Sequence, residues 1–230
     1  IAYDGIHSMI LKQMFPQSQP IYAGYTAYRG VTHFDHSRVG NMWGESWGYG
    51  KRFGIAPLSH NRIYWFATYN SPENTIVPQE KRQATLLSKF EGWHHPVTEL
   101  IGETDPIAIL QHDIHEINPL SSWVDGRVAL LGDSAHAMTP NLGQGACQAI
   151  EDAVVLGRTL KGNPDVKSAL QHYQSQRMAR ANGVLKQSRL IGKVGQIENH
   201  IVADVRNWVA QHLPNRIAMK NLIDVVSYHI

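Results

Sequence analysis

The residues best suited to chemistry lie close together in one segment of the chain. Gly132-Asp133 ends a short apolar run, and Asp133 offers a fixed carboxylate acceptor suited to the hydroxyls of a sugar or sugar alcohol. Further along, Gly143-Gln144-Gly145 begins a helical pattern. Glycines at a helix start let a ligand approach the free backbone N–H groups, where the helix dipole favours negative charge. The sequence therefore predicts a site that binds hydroxyl groups at Asp133 and prefers an anion at the helix start.

Two elements must position these residues. The run from Val128 to Leu131 is continuously apolar, which predicts a strand buried on both faces in a parallel or mixed sheet. Open α/β sheets bind their ligands at the carboxyl ends of such strands. The second element is the helix after the turn at Pro140. Its predicted core face contains Ala146, Ile150, Ala153, Val154 and Gly157, which recur at helical spacing.

Two motifs in the chain resemble those of one enzyme family. The second flavin-binding motif of the single-component (group A) FAD-dependent monooxygenases is similar to Gly132-Asp133-Ser134-Ala135-His136 followed by Pro140-Asn141-Leu142-Gly143-Gln144-Gly145. This is the family of the p-hydroxybenzoate and salicylate hydroxylases. The family's Asp-Gly fingerprint is similar to Tyr3-Asp4-Gly5-Ile6-His7-Ser8. The order and spacing of both motifs agree with the family, and the resemblance extends over essentially all 230 residues.

The resemblance implies FAD and NAD(P)H as cofactors and O2 as a co-substrate, with oxygen transferred to a small aromatic or unsaturated molecule. It assigns Asp133 to the ribityl hydroxyls and Pro140 to the reacting edge of the flavin ring. Asp4 and Gly5 would support the pyrophosphate or the approach of the nicotinamide. The other cofactor-binding residues that it implies are Gly132, Leu142, Gly143, Gln144, Gly145, Ala146 and Cys147. Among these, the N–H groups of residues 142–146 would stabilise negative charge on the reduced flavin.

The same resemblance makes the β-rich region 21–118 the substrate domain. Arg29 is a cation within the uncharged strand pattern Tyr25-Thr-Ala-Tyr-Arg29-Gly. If it points inward it needs a partner, and a phenolate or carboxylate substrate would be one. If it points outward it is solvated or pairs structurally, and the strand register decides between the two. Tyr25 is one of several aromatic residues that either line a substrate pocket or form the core.

One expected motif is missing from the sequence. Members of the family carry a βαβ unit with G-x-G-x-x-G, whose glycines bring backbone N–H groups onto the FAD pyrophosphate. The nearest imitations, Gly48-Tyr-Gly50 and Gly143-Gln-Gly145, do not open such a unit. We therefore expect a fragment without roughly the first half of the FAD domain, on the order of 100–150 residues. Truncation or proteolysis and a split gene or remnant subunit both remain open, and the full FAD site would need the missing N-terminal segment or a partner chain.

The predicted fold class is α/β (α+β), the remainder of a FAD/NAD(P)-binding Rossmann-like domain with an antiparallel-sheet substrate domain and C-terminal helices. Four regions are expected: 1–20 as the tail of the FAD-binding domain, 21–118 as the substrate domain, 119–162 as the return to the FAD-binding domain, and 163–230 as C-terminal helices. Within the last region, amphipathic patterns predict a long helix over 165–193 and two more in 199–229.

Composition excludes several other classes of protein. With 43% hydrophobic and 17% charged residues and a net charge of +2, the chain has no strong field for nucleic acid or a membrane surface. No apolar run approaches the roughly 18 residues of a membrane span, so no integral membrane segment is expected. The single Cys147 rules out an internal disulfide and suits a reducing compartment. The predicted location is cytoplasmic.

Other tempting residues have simpler interpretations. The chain has 13 histidines, but none forms a helix-spaced pair backed by a carboxylate, so no metal site is predicted. His136 is interpreted as a loop organiser rather than an acid or base. Ser134 lacks the G-x-S-x-G elbow of a hydrolase. The basic run containing Arg177 and Arg180 is predicted to be a solvated helix face, and an intersubunit role remains open.

Two functional hypotheses follow from the sequence. The first is an enzyme, a FAD-dependent NAD(P)H monooxygenase present as a fragment. The second is a non-catalytic split or remnant module that binds a partner chain or an apolar ligand without FAD. The sequence does not distinguish hydroxylation from epoxidation, and it does not identify the substrate.

Overall fold

A computed structural model describes residues 1–40, 43–213 and 227. Contacts divide the chain into two compact units. The first unit comprises Ile1–Ala23, His115–Val194 and the described residues of Asn207–Ile230, and the second comprises Gly24–Ile114 and Gly195–Arg206. The sequence-based division at residues 20, 118 and 162 stays a prediction about the domains of the fold.

The elements follow in chain order. The strands are β1 (Ile21–His33), β2 (Gly44–Trp47), β3 (Lys51–Leu58), β4 (Arg62–Asn70), β5 (Leu110–Glu116), β6 (Val124–Asp125) and β7 (Val128–Ala129). The α-helices are α1 (Met9–Met14), α2 (His36–Val39), α3 (Arg82–Lys89), α4 (Val97–Gly102), α5 (Asp133–His136), α6 (Gly145–Gly162), α7 (Val166–Gly195) and α8 (His200–His212). Short 3-10 turns span Gln79–Lys81, Pro106–Ala108 and Pro140–Leu142.

The second unit is built on a five-stranded sheet with the order β2-β3-β4-β1-β5. The pairs β1/β4, β3/β4 and β2/β3 are antiparallel, as the alternating sequence pattern predicts. Its core contains Trp65 and Phe53 from the sheet with Leu86 from α3, all buried. The mixed α/β class with an antiparallel sheet is thereby confirmed.

The first unit contains the segment that carries the predicted site, and here one prediction is wrong. The run from Val128 to Leu131 is not one strand buried on both faces, because β7 ends at Ala129 and is paired with β6 in antiparallel register, while the Ala129 carbonyl accepts a hydrogen bond from the Ala2 N–H at 2.8 Å. Val128 is 39% exposed. Leu130 and Leu131 are buried, and Leu130 forms a parallel bridge with Ala2. Three of the four residues are therefore buried, and the exposure of Val128 rules out burial on both faces of the whole run.

The predicted core face of α6 is also wrong. Its proposed stripe lies on the exposed side of the helix, with Ile150 64% and Val154 38% exposed. The buried residues are Gln148, Ala149, Asp152, Val155, Leu156 and Thr159. Gln148 and Asp152 are polar yet buried because each has polar partners inside the first unit, described below. The hydrophobic pattern therefore indicated a helix correctly and oriented it incorrectly.

The C-terminal region is helical where it is described. The long helix predicted over 165–193 is α7, and the first helix predicted in 199–229 is α8. The second predicted helix falls mainly on residues 214–226 and 228–230, which lie outside the described residues. Among the described residues, no helix combines the length and apolar character needed to cross a lipid bilayer.

Candidate functional site

A cavity of about 350 Å³ lies within the first unit and brings both sequence motifs together. Its lining is Tyr3, Gly5, Asp133, Gly145, Ala146 and Ala149. These residues come from three places: the N-terminal segment, the start of α5 and the first turns of α6. Four of the six lining residues are glycine or alanine, whose small side chains leave room for a ligand. The cavity volume lies within the usual range of small-molecule sites.

The turn at Gly132 sets the position of Asp133. Gly132 has a φ of +63°, and a Cβ built there would lie 2.6 Å from Cε2 of the Tyr3 ring and 3.3 Å from the Cβ of Ala149. The backbone conformation therefore requires glycine, and a larger residue would also displace the exposed Tyr3 ring. Gly132 is buried, whereas Asp133, the next residue, is exposed and faces the cavity. The turn thus presents a carboxylate at the cavity wall.

The start of α6 supplies hydrogen-bond donors. Gln144 is the N-cap and makes no side-chain capping hydrogen bond, and the first helical amide to bond within the helix is that of Gln148, which donates to the Gln144 carbonyl at 2.8 Å. The N–H groups of Gly145, Ala146 and Cys147 are consequently available to a ligand. A Cβ at Gly143 or Gly145 would meet no atom within 4 Å, so there is open space beside these amides. This geometry favours an anionic or electron-rich ligand group.

A buried charged cluster lies behind the Gly132 turn, and we call it the Asp152 network. Oδ2 of Asp152 accepts hydrogen bonds from the Gly132 N–H at 3.1 Å and from Nε2 of His136 at 2.6 Å. Its other oxygen, Oδ1, accepts from Nε of Arg177 at 2.8 Å. The side chains of Asp152, His136 and Arg177 are all fully buried. The network further includes Gln148, Glu151 and Arg180.

The predicted solvated face around Arg177 and Arg180 is wrong. Arg177 donates to Glu151 and to both the backbone and side-chain oxygens of Gln148, and Arg180 donates to the two Glu151 carboxylate oxygens at 2.7 and 2.8 Å. Burial raises the pKa of Glu151, but the hydrogen bond from Arg180 and the charge of Arg177 outweigh it and lower that pKa overall. These arginines fasten α7 to α6 because acidic partners lie within reach.

The turn that carries Pro140 is fixed by α7. Asn141 Nδ2 donates to the Ser188 carbonyl at 2.9 Å, and the Ser188 hydroxyl donates to the Thr139 carbonyl at 2.6 Å. Pro140 itself is exposed. The turn therefore has a defined position while its proline remains accessible.

In the second unit, Arg29 and Tyr25 lie in different environments. Arg29 is half-buried, and its Nη1 lies 3.3 Å from Nδ1 of His112. Burial, with the nearby charges of Arg29 and Arg82, lowers the pKa of His112. Tyr25 is buried, with the guanidinium of Arg52 5.4 Å from its ring centroid.

Arg52 is a buried cation that the sequence interpretation did not single out. It is 2% exposed, its Nη1 lies 3.0 Å from Oε1 of Glu45, and its Nε donates to Oε1 of Gln196 at 3.1 Å. Burial raises the pKa of Glu45 despite the opposing charge of Arg52. Nothing in the sequence indicated that Arg52 is buried, because it follows Lys51 and its partner Gln196 is distant in the sequence.

A family model described as FAD binding domain matches residues 1–188, most of the chain. The chain belongs to this FAD-binding family. The cavity lined by Gly5, Asp133 and Gly145 lies within the matched residues.

The relatives of this FAD-binding chain include a monooxygenase and a FAD-dependent hydroxylase. It is 44% identical over 206 residues to the aurachin C monooxygenase/isomerase of Stigmatella aurantiaca, covering 90% of this chain and 54% of that enzyme. It is 38% identical over 193 residues to the FAD-dependent urate hydroxylase of Klebsiella pneumoniae subsp. pneumoniae, covering 82% and 50%. The crystal structure of Klebsiella pneumoniae HpxO complexed with FAD and uric acid matches with a TM-score of 0.88 and 33% identity, over 96% of this chain and 58% of that one.

These comparisons confirm the predicted membership of the FAD-dependent monooxygenase family and give no support to the non-catalytic alternative. The chain spans about half the length of the curated relatives it matches.

The residues predicted to bind the cofactor fall into three groups. Gly5, Asp133, Gly145 and Ala146 line the cavity. Gly132, Gly143, Gln144 and Cys147 belong to the turn and helix start that shape it. The lining does not include Asp4, Pro140 or Leu142.

Asp4 has a local role in the described structure. Its Oδ2 accepts from the Met9 N–H at 3.1 Å, and a hydrogen bond with Ser8 is the main cause that lowers its pKa. Two lining residues, Tyr3 and Ala149, were not predicted as cofactor contacts. Tyr3 stands beside the Asp-Gly motif, and this adjacency was the available signal.

The cavity suits part of a flavin nucleotide. An exposed carboxylate at Asp133 can accept from ribityl hydroxyls, and the uncapped amides of α6 can donate to the electron-rich pyrimidine edge of the ring. The open space beside Gly143 and Gly145 leaves the ring room to approach. The residues present therefore fit FAD.

Proposed function

We propose that this chain belongs to an NAD(P)H-dependent flavoprotein monooxygenase and holds the ring and ribityl part of FAD in the cavity of its first unit. The observation that carries the proposal is that Gly5, Asp133 and Gly145, from two separate motifs, line one cavity. When bound and reduced by NAD(P)H, FAD supplies the activated oxygen that derives from O2.

In this proposal the predicted cofactor residues, some of which lie outside the cavity lining, contact different parts of FAD or its reductant. Asp133 accepts hydrogen bonds from the ribityl hydroxyls. The N–H groups at the start of α6, together with Gly143, stabilise negative charge on the reduced ring. Asp4 and Gly5 support the pyrophosphate or the nicotinamide, and Pro140 borders the reacting edge of the ring.

The substrate is a small aromatic or unsaturated molecule, with Arg29 and Tyr25 as its candidate contacts. Arg29 supports this role because it is only half-buried and its neighbour His112, whose pKa is lowered, offers it no opposite charge, so an anionic group would improve its environment. Tyr25 is buried and supports a role in shaping the domain more than a direct contact. The names of the relatives, a monooxygenase/isomerase and a urate hydroxylase, support oxygenation of a cyclic substrate. The single cysteine supports a cytoplasmic location.

We further propose that a segment with the G-x-G-x-x-G unit, in the same longer protein or on a partner chain, completes the FAD site. Two observations support it. The sequence contains no such unit, and the apolar side of α6 that begins at Ala146 in the cavity wall is exposed through Ile150 and Val154. An exposed apolar stripe of this kind is typical of a surface that another element covers.

A flavin titration tests the proposal. The 230-residue chain is titrated with riboflavin, FAD and AMP, and binding is followed by flavin fluorescence and, for AMP, by calorimetry. Because the cavity addresses the ring and ribityl part, riboflavin and FAD should bind with affinities within about a factor of ten, ~1.4 kcal/mol, and AMP should not compete. Competition by AMP, or no binding of riboflavin at concentrations that saturate a folded flavoprotein, would contradict the assignment of this cavity.

A further inference from the structure

We propose that Asp152 is a positioning residue for the flavin, which holds the Gly132 turn against α6 so that Asp133 and the α6 amides face one ligand together. The proposal rests on the proposed function, because it assigns the flavin to the cavity. Asp152 does not line the cavity and would act only through the residues that it fixes.

The carboxylate of Asp152 joins four pieces of the first unit. It belongs to α6, and its two oxygens accept hydrogen bonds from the Gly132 turn, from His136 at the end of α5 and from Arg177 on α7. Three donors on one carboxylate satisfy it in a fully buried place, where an unpaired charge would be very costly. The position of each donor is consequently tied to that of α6.

His136 takes its orientation from Asp152. Nδ1 of His136 is buried and has no hydrogen-bond partner within the described part of the chain, so the hydrogen bond of Nε2 to Asp152, together with the Trp123 ring 5.2 Å away, directs the imidazole. A carboxylate only accepts, which means that Nε2 carries the hydrogen. The imidazole therefore links the end of α5 to the same oxygen that holds the Gly132 amide, and α5 is fixed at both ends.

The Asp152 network contacts residues that are next to the cavity lining in the chain. Asp133 follows Gly132 directly, and Ala149, one turn before Asp152 on α6, lines the cavity as well. The two walls also touch, because Gly132 packs against Ala149. A shift of the Gly132 amide away from Asp152 would move Asp133 relative to the amides of Gly145 and Ala146.

Stability alone does not account for this arrangement. Apolar side chains of similar volume are often as stabilising as a buried ion pair, whereas removal of one partner is strongly destabilising. The network contains a second ionic part, Glu151 with Arg180, which touches neither Gly132 nor His136. A substitution at Glu151 is therefore a matched control, because it weakens the ion pairs between α6 and α7 without removing the contacts to Gly132 and His136.

The test compares four variants of the full chain. Asp152→Asn keeps the shape but replaces one acceptor with a donor that faces donors. His136→Asn is too short to reach Asp152, whereas His136→Gln places an amide N–H where Nε2 stands. Glu151→Gln weakens the Arg177 and Arg180 pairs but leaves the Gly132 and His136 contacts intact. Riboflavin affinity, the visible absorption bands of the bound flavin and thermal unfolding are measured for each.

We expect Asp152→Asn and His136→Asn to weaken riboflavin binding about tenfold or more and to shift the absorption bands towards those of free flavin. His136→Gln should bind riboflavin with the affinity and the absorption bands of the wild type. Glu151→Gln should lower the melting temperature but leave the riboflavin affinity and the absorption bands unchanged. The proposal is overturned if Asp152→Asn binds like the wild type, or if affinity follows melting temperature across all four variants. If Asp152→Asn does not fold, the two His136 variants decide. Absence of riboflavin binding by the wild type would instead defeat the proposed function.

Discussion

Gly132 packs against Tyr3 so closely that a Cβ on the glycine would lie 2.6 Å from Cε2 of the ring. This contact joins the N-terminal motif to the Gly-Asp motif, which are far apart in the sequence and both contribute residues to the lining of one cavity. It explains why a glycine and an aromatic residue occur together here, and it leads to the first prediction.

Gly132→Ala should destabilise the chain by about 1–3 kcal/mol, because alanine resists the positive φ of this position, while the exposed Tyr3 ring can move aside. The matched control is Gly157→Ala on the exposed side of α6, where a Cβ meets no atom within 4 Å. That change should stabilise the helix by roughly 0.5–1 kcal/mol. Chemical denaturation of both variants measures the difference. Equal stability of the two variants would show that the Gly132 turn relaxes without cost.

Asp133→Ala should weaken flavin binding with little effect on folding, because Asp133 is exposed and lines the cavity that we propose holds the ribityl part of the flavin. Loss of one charge-assisted hydrogen bond corresponds to about 1.5–3 kcal/mol, or roughly 10- to 150-fold in the dissociation constant. Asp125→Ala, at the exposed end of β6, is the matched control and should bind like the wild type. Unchanged flavin affinity in Asp133→Ala would remove Asp133 from the site.

Gly145→Ala should affect flavin binding without lowering the stability of the fold. A Cβ there meets no protein atom within 4 Å, and alanine favours a helix more than glycine does, so the melting temperature should stay equal or rise slightly. Because Gly145 lines the cavity, the same methyl group should obstruct the flavin and reduce its affinity several-fold. A fluorescence titration beside a thermal melt measures both effects. Tighter or unchanged flavin binding would mean that the ring does not approach this end of α6.

Local features of the site were predictable from the sequence, whereas its supporting contacts were not. The turn at Gly132, the exposed Asp133 and the glycine start of α6 each depend on residues next to them in the chain, so short patterns indicate them. The orientation of α6 depends on Asp152, whose partner Arg177 belongs to another helix. A hydrophobic pattern treats such polar residues as outward-facing and so places the wrong face in the core.

The same reason explains the buried cations. Arg177 lies in a run of polar residues and Arg52 beside a lysine, and both patterns are typical of solvated surfaces. Their burial becomes possible only when the fold brings Asp152 or Glu45 within hydrogen-bond distance. The antiparallel sheet, in contrast, follows from alternation within single strands. Register, however, was needed to find that Arg29 is half-buried beside His112.

Glu116 provides a pH-dependent prediction. The residue is 6% exposed, its Oε2 has no hydrogen-bond partner in the described structure, and its Oε1 lies 2.6 Å from Nε of Arg189. Burial raises the pKa of Glu116 above its usual value, and the attraction of Arg189 offsets this only in part. The folded chain therefore binds this proton more tightly than the unfolded chain does. The resulting stabilisation is complete below the unfolded pKa of about 4.3 and is lost as pH rises through the higher folded pKa.

Glu116→Gln mimics the protonated side chain, so it should match the wild type in stability near pH 4 and exceed it at pH 7–8, roughly 2–4 °C in Tm for each ~1 kcal/mol. Thermal melts across this range measure the difference, with Glu91→Gln at an exposed position as the control that should show no such trend. A variant less stable than the wild type at pH 8 would mean that the pair with Arg189 outweighs burial. In that case Glu116 stabilises the first unit as a carboxylate, because its attraction to Arg189 exceeds the cost of removing it from water.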